Sequence, residues 1–197
     1  MANVQAQFGF AQFGYLPGGA PDHQLSKYAI QSTYATAIFF GDPVIKSAAS
    51  PYIQPATGTG SLTAIAGIFQ GCMYTPKGSY PGWLPWYPGV AAGADTVAYV
   101  QDSPLALFRV AALLTAVTPT NIGEGIGYST GAGGTTLGGG FSTFTVDQSL
   151  LTTGAVAPFL VVSMYPGVGN GADTTTSYNW VIVSFNNQKY RINTSVA

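Results

Sequence analysis

Few residues in this chain combine a reactive type with a usable spacing. Gly127-Tyr128-Ser129-Thr130-Gly131 matches the G-x-S-x-G pattern. In hydrolases that pattern lifts a nucleophilic serine on a strained strand-to-helix turn. It needs a helix after it and a base beside the serine. Here it falls inside a glycine-rich stretch, Gly123 to Gly140, with no helical period following. The single histidine, His23, precedes the serine, whereas the α/β-hydrolase order places it last. The match reads as coincidence.

His23 has no second histidine, and Cys72 is the lone cysteine, so the ligands of a metal site are not assembled. It reads as a solvated residue next to Asp22, itself a turn residue. Gly123, Gly125 and Gly127 do not spell a dinucleotide fingerprint, and Gly131 to Gly140 lacks the Gly-Lys-Ser/Thr ending of a phosphate loop. Both stretches read as conformational freedom. The carboxylates Asp22, Asp42, Asp95, Asp102, Glu124, Asp147 and Asp173 are spread along the chain, mostly beside Gly, Pro or Ser. Turn capping explains them better than paired acid–base work. Asn193-Thr194-Ser195 is a glycosylation sequon by pattern, expected to stay unmodified. The expectation is no catalytic residue, no metal and no cofactor.

Composition then narrows the class. A chain of 197 residues suits one domain, and that size buries about 70% of its unfolded surface. Its hydrophobic fraction, 47%, is ordinary, which argues against disorder. Charged residues are 7%, against about 25% in an average soluble domain. With a net charge of −1, an isolated monomer has little to keep it in solution, so other subunits are expected to cover much of the surface. Lys27, Lys46, Lys77, Arg109, Lys189 and Arg191 are scattered, which argues against nucleic acid. Cys72 sits in the apolar run Ile68 to Tyr74 and reads as a buried, inert thiol. The longest apolar stretch, Leu105 to Val117, is broken by Arg109 and falls short of the roughly 20 residues that cross a bilayer. No basic segment followed by an apolar one opens the chain, so a soluble protein made in a cytoplasm is expected.

The organisation expected is an extended N-terminal arm, residues 1–24, followed by a single β domain, residues 25–197. The arm carries Phe8, Phe10, Phe13 and Tyr15 among glycines that support no helix. Beyond it, strand-type runs alternate with turn residues: Tyr28 to Phe40, Val44 to Lys46, Leu62 to Tyr74, Thr96 to Gln101, Leu105 to Val110, Phe159 to Tyr165 and Tyr178 to Phe185. Asn186-Asn187 before Gln188 to Ile192 reads as a two-residue hairpin turn. The fold class is all-β, an antiparallel barrel, β-tulip or sandwich.

The strongest functional signal is Tyr80-Pro81-Gly82-Trp83-Leu84-Pro85-Trp86-Tyr87-Pro88-Gly89. A proline-held aromatic loop offers a large, rigid contact area, as interface hot spots do. The other reading is a loop folded back to plug one end of a barrel. The partner-binding residues expected are Phe8, Phe10, Phe13, Tyr15, Trp83, Trp86 and Tyr87.

The chain also resembles a known family. Tyr34-Ala35-Thr36-Ala37-Ile38-Phe39-Phe40-Gly41-Asp42-Pro43-Val44, Ile65-Ala66-Gly67-Ile68-Phe69-Gln70-Gly71-Cys72, Ala98-Tyr99-Val100-Gln101-Asp102-Ser103-Pro104 and Gln188-Lys189-Tyr190-Arg191-Ile192 are similar to segments of capsid decoration (cement) proteins of tailed bacteriophages. The resemblance implies a β-barrel or β-tulip fold and a homo-oligomer, with a trimer favoured. It also implies attachment to the major capsid protein on the exterior of the virion, and no chemistry. Two other classes stay open: a carbohydrate-binding or tail-associated adhesion module using Trp83, Trp86 and Tyr87, and a lipase-like hydrolase using Ser129.

Overall fold

The computed structural model of the chain describes residues 2–4, 8–17, 24–47, 50–56, 62–113, 115–130, 140–153 and 156–188. Asp22, His23, Gly131, the sequon and the second arm of the hairpin after Gln188 lie outside the described residues. The protein is all-β, two six-stranded antiparallel sheets arranged as a sandwich, with no closed barrel among the described residues.

The first sheet has the order β1–β8–β12–β11–β9–β10. Its strands are β1 (Ala11–Tyr15), β8 (Ala106–Ala111), β12 (Trp180–Phe185), β11 (Phe159–Met164), β9 (Gly125–Thr130) and β10 (Phe144–Thr152). The second has the order β2–β7–β5–β3–β4, with β6 also paired to β5. These are β2 (Ser26–Ile30), β7 (Thr96–Gln101), β5 (Gly67–Tyr74), β3 (Pro43–Lys46), β4 (Ile53–Pro55) and β6 (Gly82–Leu84). Two apolar clusters form, and the larger one lies between the sheets. Phe108, Val110, Ile126, Tyr128, Val161 and Val183 line the first, joined by Ile65 and Ile68 from the second sheet's side. Ile30, Val44, Phe69, Tyr87, Ala98 and Val100 form the second.

Alternation explains which side chains enter these cores. In β8, Ala106, Phe108 and Val110 are buried while Leu107 and Arg109 are half-buried, the period of two that a sheet imposes. The same period rewrites the glycine-rich stretch. Gly125-Ile126-Gly127-Tyr128-Ser129 is part of β9, with Ile126 and Tyr128 in the core and the glycines on the opposite face. Freedom was expected there, but two large apolar residues spaced by two bury enough area to hold a strand. The apolar run from Leu105 gives β8, and the single helical turn among the described residues is the 3-10 turn Pro119–Asn121.

The expected arm is where the structure departs most from the sequence reading. Ala11–Tyr15 is an edge strand paired to β8. Phe10 has 0% exposure and stacks on Phe159 at 4.4 Å between ring centres. Asn3 is tied to the loop before β12: its side-chain amide donates to the Asp173 carbonyl at 2.7 Å, and its carbonyl accepts from the Gly171 amide at 2.9 Å. Phe8 meets Trp180 edge-on at 5.1 Å, and the Arg109 guanidinium lies 4.8 Å from the Phe8 ring, 4.6 Å from Trp180 and 5.6 Å from Tyr165. Phe10 is buried, and Phe8 half-buried, by residues more than a hundred positions away in sequence.

Phe10 should therefore behave as a core residue. Phe10→Ala should lower unfolding free energy by about 3–5 kcal/mol, measured by denaturant titration of the full chain. A loss below about 1 kcal/mol would mean that this segment lies outside the core.

Candidate functional site

The sequence-predicted site residues do not form one surface. Phe10 and Tyr87 are corrected outright: both have 0% exposure and pack in the two cores, so neither can meet a partner. Tyr87 bridges Ile38 in backbone pairing, and its hydroxyl donates to the Tyr34 carbonyl at 2.7 Å. Burial pushes that phenol up to about 12. Phe8 is half-buried in the Arg109 cage. Tyr15 is half-buried against the first core and accepts a hydrogen bond from the Gln101 amide at 3.1 Å. Trp86 lies against Gly140 and stacks on Phe39 at 6.0 Å. Phe13 remains exposed because the β1–β8 register slips between Gln12 and Gly14; a bulge of this kind turns a residue away from the ladder.

Among the predicted partner-binding residues of the aromatic loop, Trp83 stays open, at 58% exposure. The aromatic loop thus divides: its first tryptophan faces solvent, its second is half-buried, and Tyr87 enters the core. Strand pairing places the other members of the surface. Met73 lies opposite Trp83 on one side and Val97 on the other, and Val97 lies opposite Ala29. Cys72, Ala98 and Val100 point into the core, so Met73, Val97 and Trp83 share the outer face. Val97 is exposed and Met73 half-buried. Gly71 and Tyr99 pair in the next row, with Lys27 beyond Tyr99.

Gly71 shapes this face. Its φ is +129°, and a Cβ there would sit 2.9 Å from Cζ2 of the Trp83 indole. The ring therefore rests on bare backbone and presents its opposite side outward. Tyr80, at 89% exposure, stands in the hairpin leading into β6. The result is an apolar stripe across β6, β5, β7 and β2, with one cation at its margin.

The residues with chemical potential are placed differently. Ser129 sits within β9, fully buried, and its hydroxyl has no hydrogen-bond partner among the described residues. It occupies a strand, not a strand-to-helix turn. Cys72 is buried, and desolvation pushes its thiol up to about 12. Asp147 and Asp173 cap locally, accepting from the Ser149 and Thr175 amides, while Asp95 accepts from the distant Ser32 amide, each at 2.9 Å. Asp102 accepts from the Ser26 and Tyr28 hydroxyls at 2.8 and 2.9 Å, beside a cleft of about 450 Å³ lined also by Gln24, Leu25, Ser103 and Pro104. Among the described residues no three His, Cys, Asp or Glu side chains gather as a metal site, and no helix is long and apolar enough to cross a membrane. No family model matches the chain, and no curated protein or solved structure does either.

Sequence reasoning found Trp83 but missed Met73, Val97 and Gly71. Val97 and Tyr99 alternate with Ala98 and Val100, apolar or aromatic on both faces, so composition does not separate the outer face from the inner. The division of the loop is testable by stability alone. Tyr87→Ala should cost about 3–5 kcal/mol of unfolding free energy and Trp83→Ala about 1 kcal/mol or less. Equal losses in the same denaturant assay would contradict the placement.

Proposed function

We propose that this chain is a structural protein that works by docking, as a decoration protein bound to the outer surface of a tailed-phage capsid. The observation that carries docking is the contrast between the outer faces of the two sheets. On the first sheet, Arg109 and Trp180 are roofed by Phe8 and Tyr165, with Asn3 tying the N-terminal segment to the adjacent loop. On the second, Trp83 and Val97 are open to solvent. A partner that covered them would gain roughly 25 cal/mol for each Å² of apolar surface removed from water. Low charge supports the same reading, because interface centres are depleted of charged residues. The capsid as the partner, and a homotrimer as the assembled form, rest on the sequence resemblance.

A second reading has its own support. An exposed indole packed against a glycine backbone is also suited to stacking on a sugar ring, which favours a carbohydrate-binding adhesion module. The two readings separate in one experiment. Full-length protein should co-sediment with stripped capsids, and Trp83→Ala should weaken that binding by about 2–4 kcal/mol, roughly 30- to 1,000-fold in Kd, with the thermal midpoint nearly unchanged. Failure to co-sediment, together with Trp83-dependent binding to a glycan array, would replace the capsid reading with adhesion.

A further inference from the structure

We propose that Asn170-Gly171 is a deamidation site guarded by the N-terminal segment Asn3-Val4, whose docking keeps the pair intact and whose own anchorage is broken once the pair reacts. Asn170-Gly171 is the one Asn-Gly pair in the sequence. It lies in the 165–179 loop that joins β11 to β12. The reaction needs only water. The Gly171 nitrogen gives up its proton and bonds to Cγ of Asn170. The bond from Cγ to Nδ2 breaks, and Nδ2 takes up the proton and leaves as ammonia. Water then opens the five-membered succinimide at either carbonyl, which leaves aspartate or isoaspartate at position 170. A following glycine favours the attack, because no Cβ hinders its nitrogen.

Both reacting groups are held by the same two residues. The Gly171 amide donates to Asn3 Oδ1 at 2.9 Å. Removing its proton would set a nitrogen anion against an oxygen lone pair. The Asn170 side chain is gripped at both ends: Oδ1 accepts from the Val4 amide at 2.6 Å, and Nδ2 donates to the Val4 carbonyl at 3.1 Å. It is not free to rotate while both bonds stand. Asn3 is itself anchored, 9% exposed, with Nδ2 donating to the Asp173 carbonyl at 2.7 Å and to Thr176 Oγ1 at 3.0 Å. Asn170 and Val4 are exposed, so the guard sits on the surface, where local opening is easiest.

The fold keeps a labile pair because it needs both members. Gly171 has φ of +85°, and a Cβ there would run into Cδ2 of the Trp180 indole. Asn170 is the residue that pairs with Val4. Reaction removes the Nδ2 donor, so aspartate sets an anionic oxygen against the Val4 carbonyl and leaves that acceptor unpaired. Isoaspartate also lengthens the main chain by one methylene before Gly171, which displaces the amide from Asn3. Asn3 and Val4 fix the chain ahead of Phe8, which roofs Arg109 and Trp180, so their release frees that roof at one end. This holds whatever the chain docks to.

The guard is tested on the full-length protein in mildly alkaline buffer, against a synthetic peptide of residues 165–176 as the unguarded reference. Mass spectrometry and an isoaspartate assay at position 170 follow the reaction. The wild type should react at least about tenfold more slowly than the peptide, and Asn3→Ala at least about tenfold faster than the wild type, a change that one or two lost hydrogen bonds can make. A wild type as fast as the peptide, or a folded Asn3→Ala within about twofold of the wild type, overturns the proposal. If Asn3→Ala does not fold, the wild type against the peptide decides alone. Reacted wild type, separated by ion exchange through its added negative charge, then tests the release. Hydrogen exchange at the Asn3 and Gly171 amides should be about tenfold faster than in unreacted protein; unchanged exchange overturns the second half of the proposal.

Discussion

Everything in this fold passes through a place with no room for side chains. Gly9 and Gly41 have φ of +58° and +88°. A Cβ on Gly9 would lie 2.2 Å from Ser142 Cβ, and one on Gly41 would lie 2.9 Å from the Phe8 carbonyl oxygen. Three stretches distant in sequence therefore meet backbone to backbone, which only residues without a Cβ permit at positive φ. Close approach lets the Phe10 and Ser142 amides find carbonyl partners on the 40–41 turn. It also fixes where each stretch goes next: Phe10 under the first sheet, Pro43 into β3, Phe144 into β10. The first apolar cluster takes Ile68 of β5 and Ile45 of β3 from the second sheet, so the two sheets also meet through apolar packing beside this seam.

Once the N-terminal stretch is committed to the seam, its other contacts follow. Phe10 directly precedes β1, which pairs with β8, and Phe8 falls on the outer face beside Arg109. A guanidinium among three aromatic rings gains cation–π attraction while its stem covers apolar surface. In a chain with so few charges, this cation works as a packing element. The carboxylates are used comparably, as acceptors for nearby backbone amides and hydroxyls. Charge here serves the fold's own hydrogen bonding and packing.

Parts of this were legible from sequence and parts were not, for definite reasons. Val44 to Lys46, Thr96 to Gln101, Phe159 to Tyr165 and Tyr178 to Phe185 correspond to β3, β7, β11 and β12, because dense β-branched and aromatic residues between turn signals leave little alternative. β9 was hidden because glycine on its outer face masked Ile126 and Tyr128 on its inner one. β1 was hidden because its partner, β8, begins more than ninety residues later, and only long-range pairing makes Gln12-Phe13-Gly14 a strand. Turn capping by carboxylates was legible, and Asp42 does cap Phe39; its burial against Ser142 is a tertiary property. At the candidate site, proline spacing announced the aromatic loop. Which of Trp83, Trp86 and Tyr87 faces out depends on the pairing of β6 with β5, which the loop sequence does not encode.

The outer face of the second sheet is open by construction and not by lack of covering material. The first sheet shows that the chain can roof a face, since its own residues close over Arg109 and Trp180. On the second sheet the close approach of the Trp83 ring depends on Gly71, whose φ of +129° suits glycine and whose missing Cβ leaves room for the indole. A larger residue at position 71 would lift the indole out of the plane and break the stripe through Met73 and Val97. Exposed indole and valine side chains cost solubility in a chain with a net charge of −1. A conformationally demanding glycine that gives room to an exposed tryptophan adds nothing to either core. Its effect falls on where the indole sits on the surface.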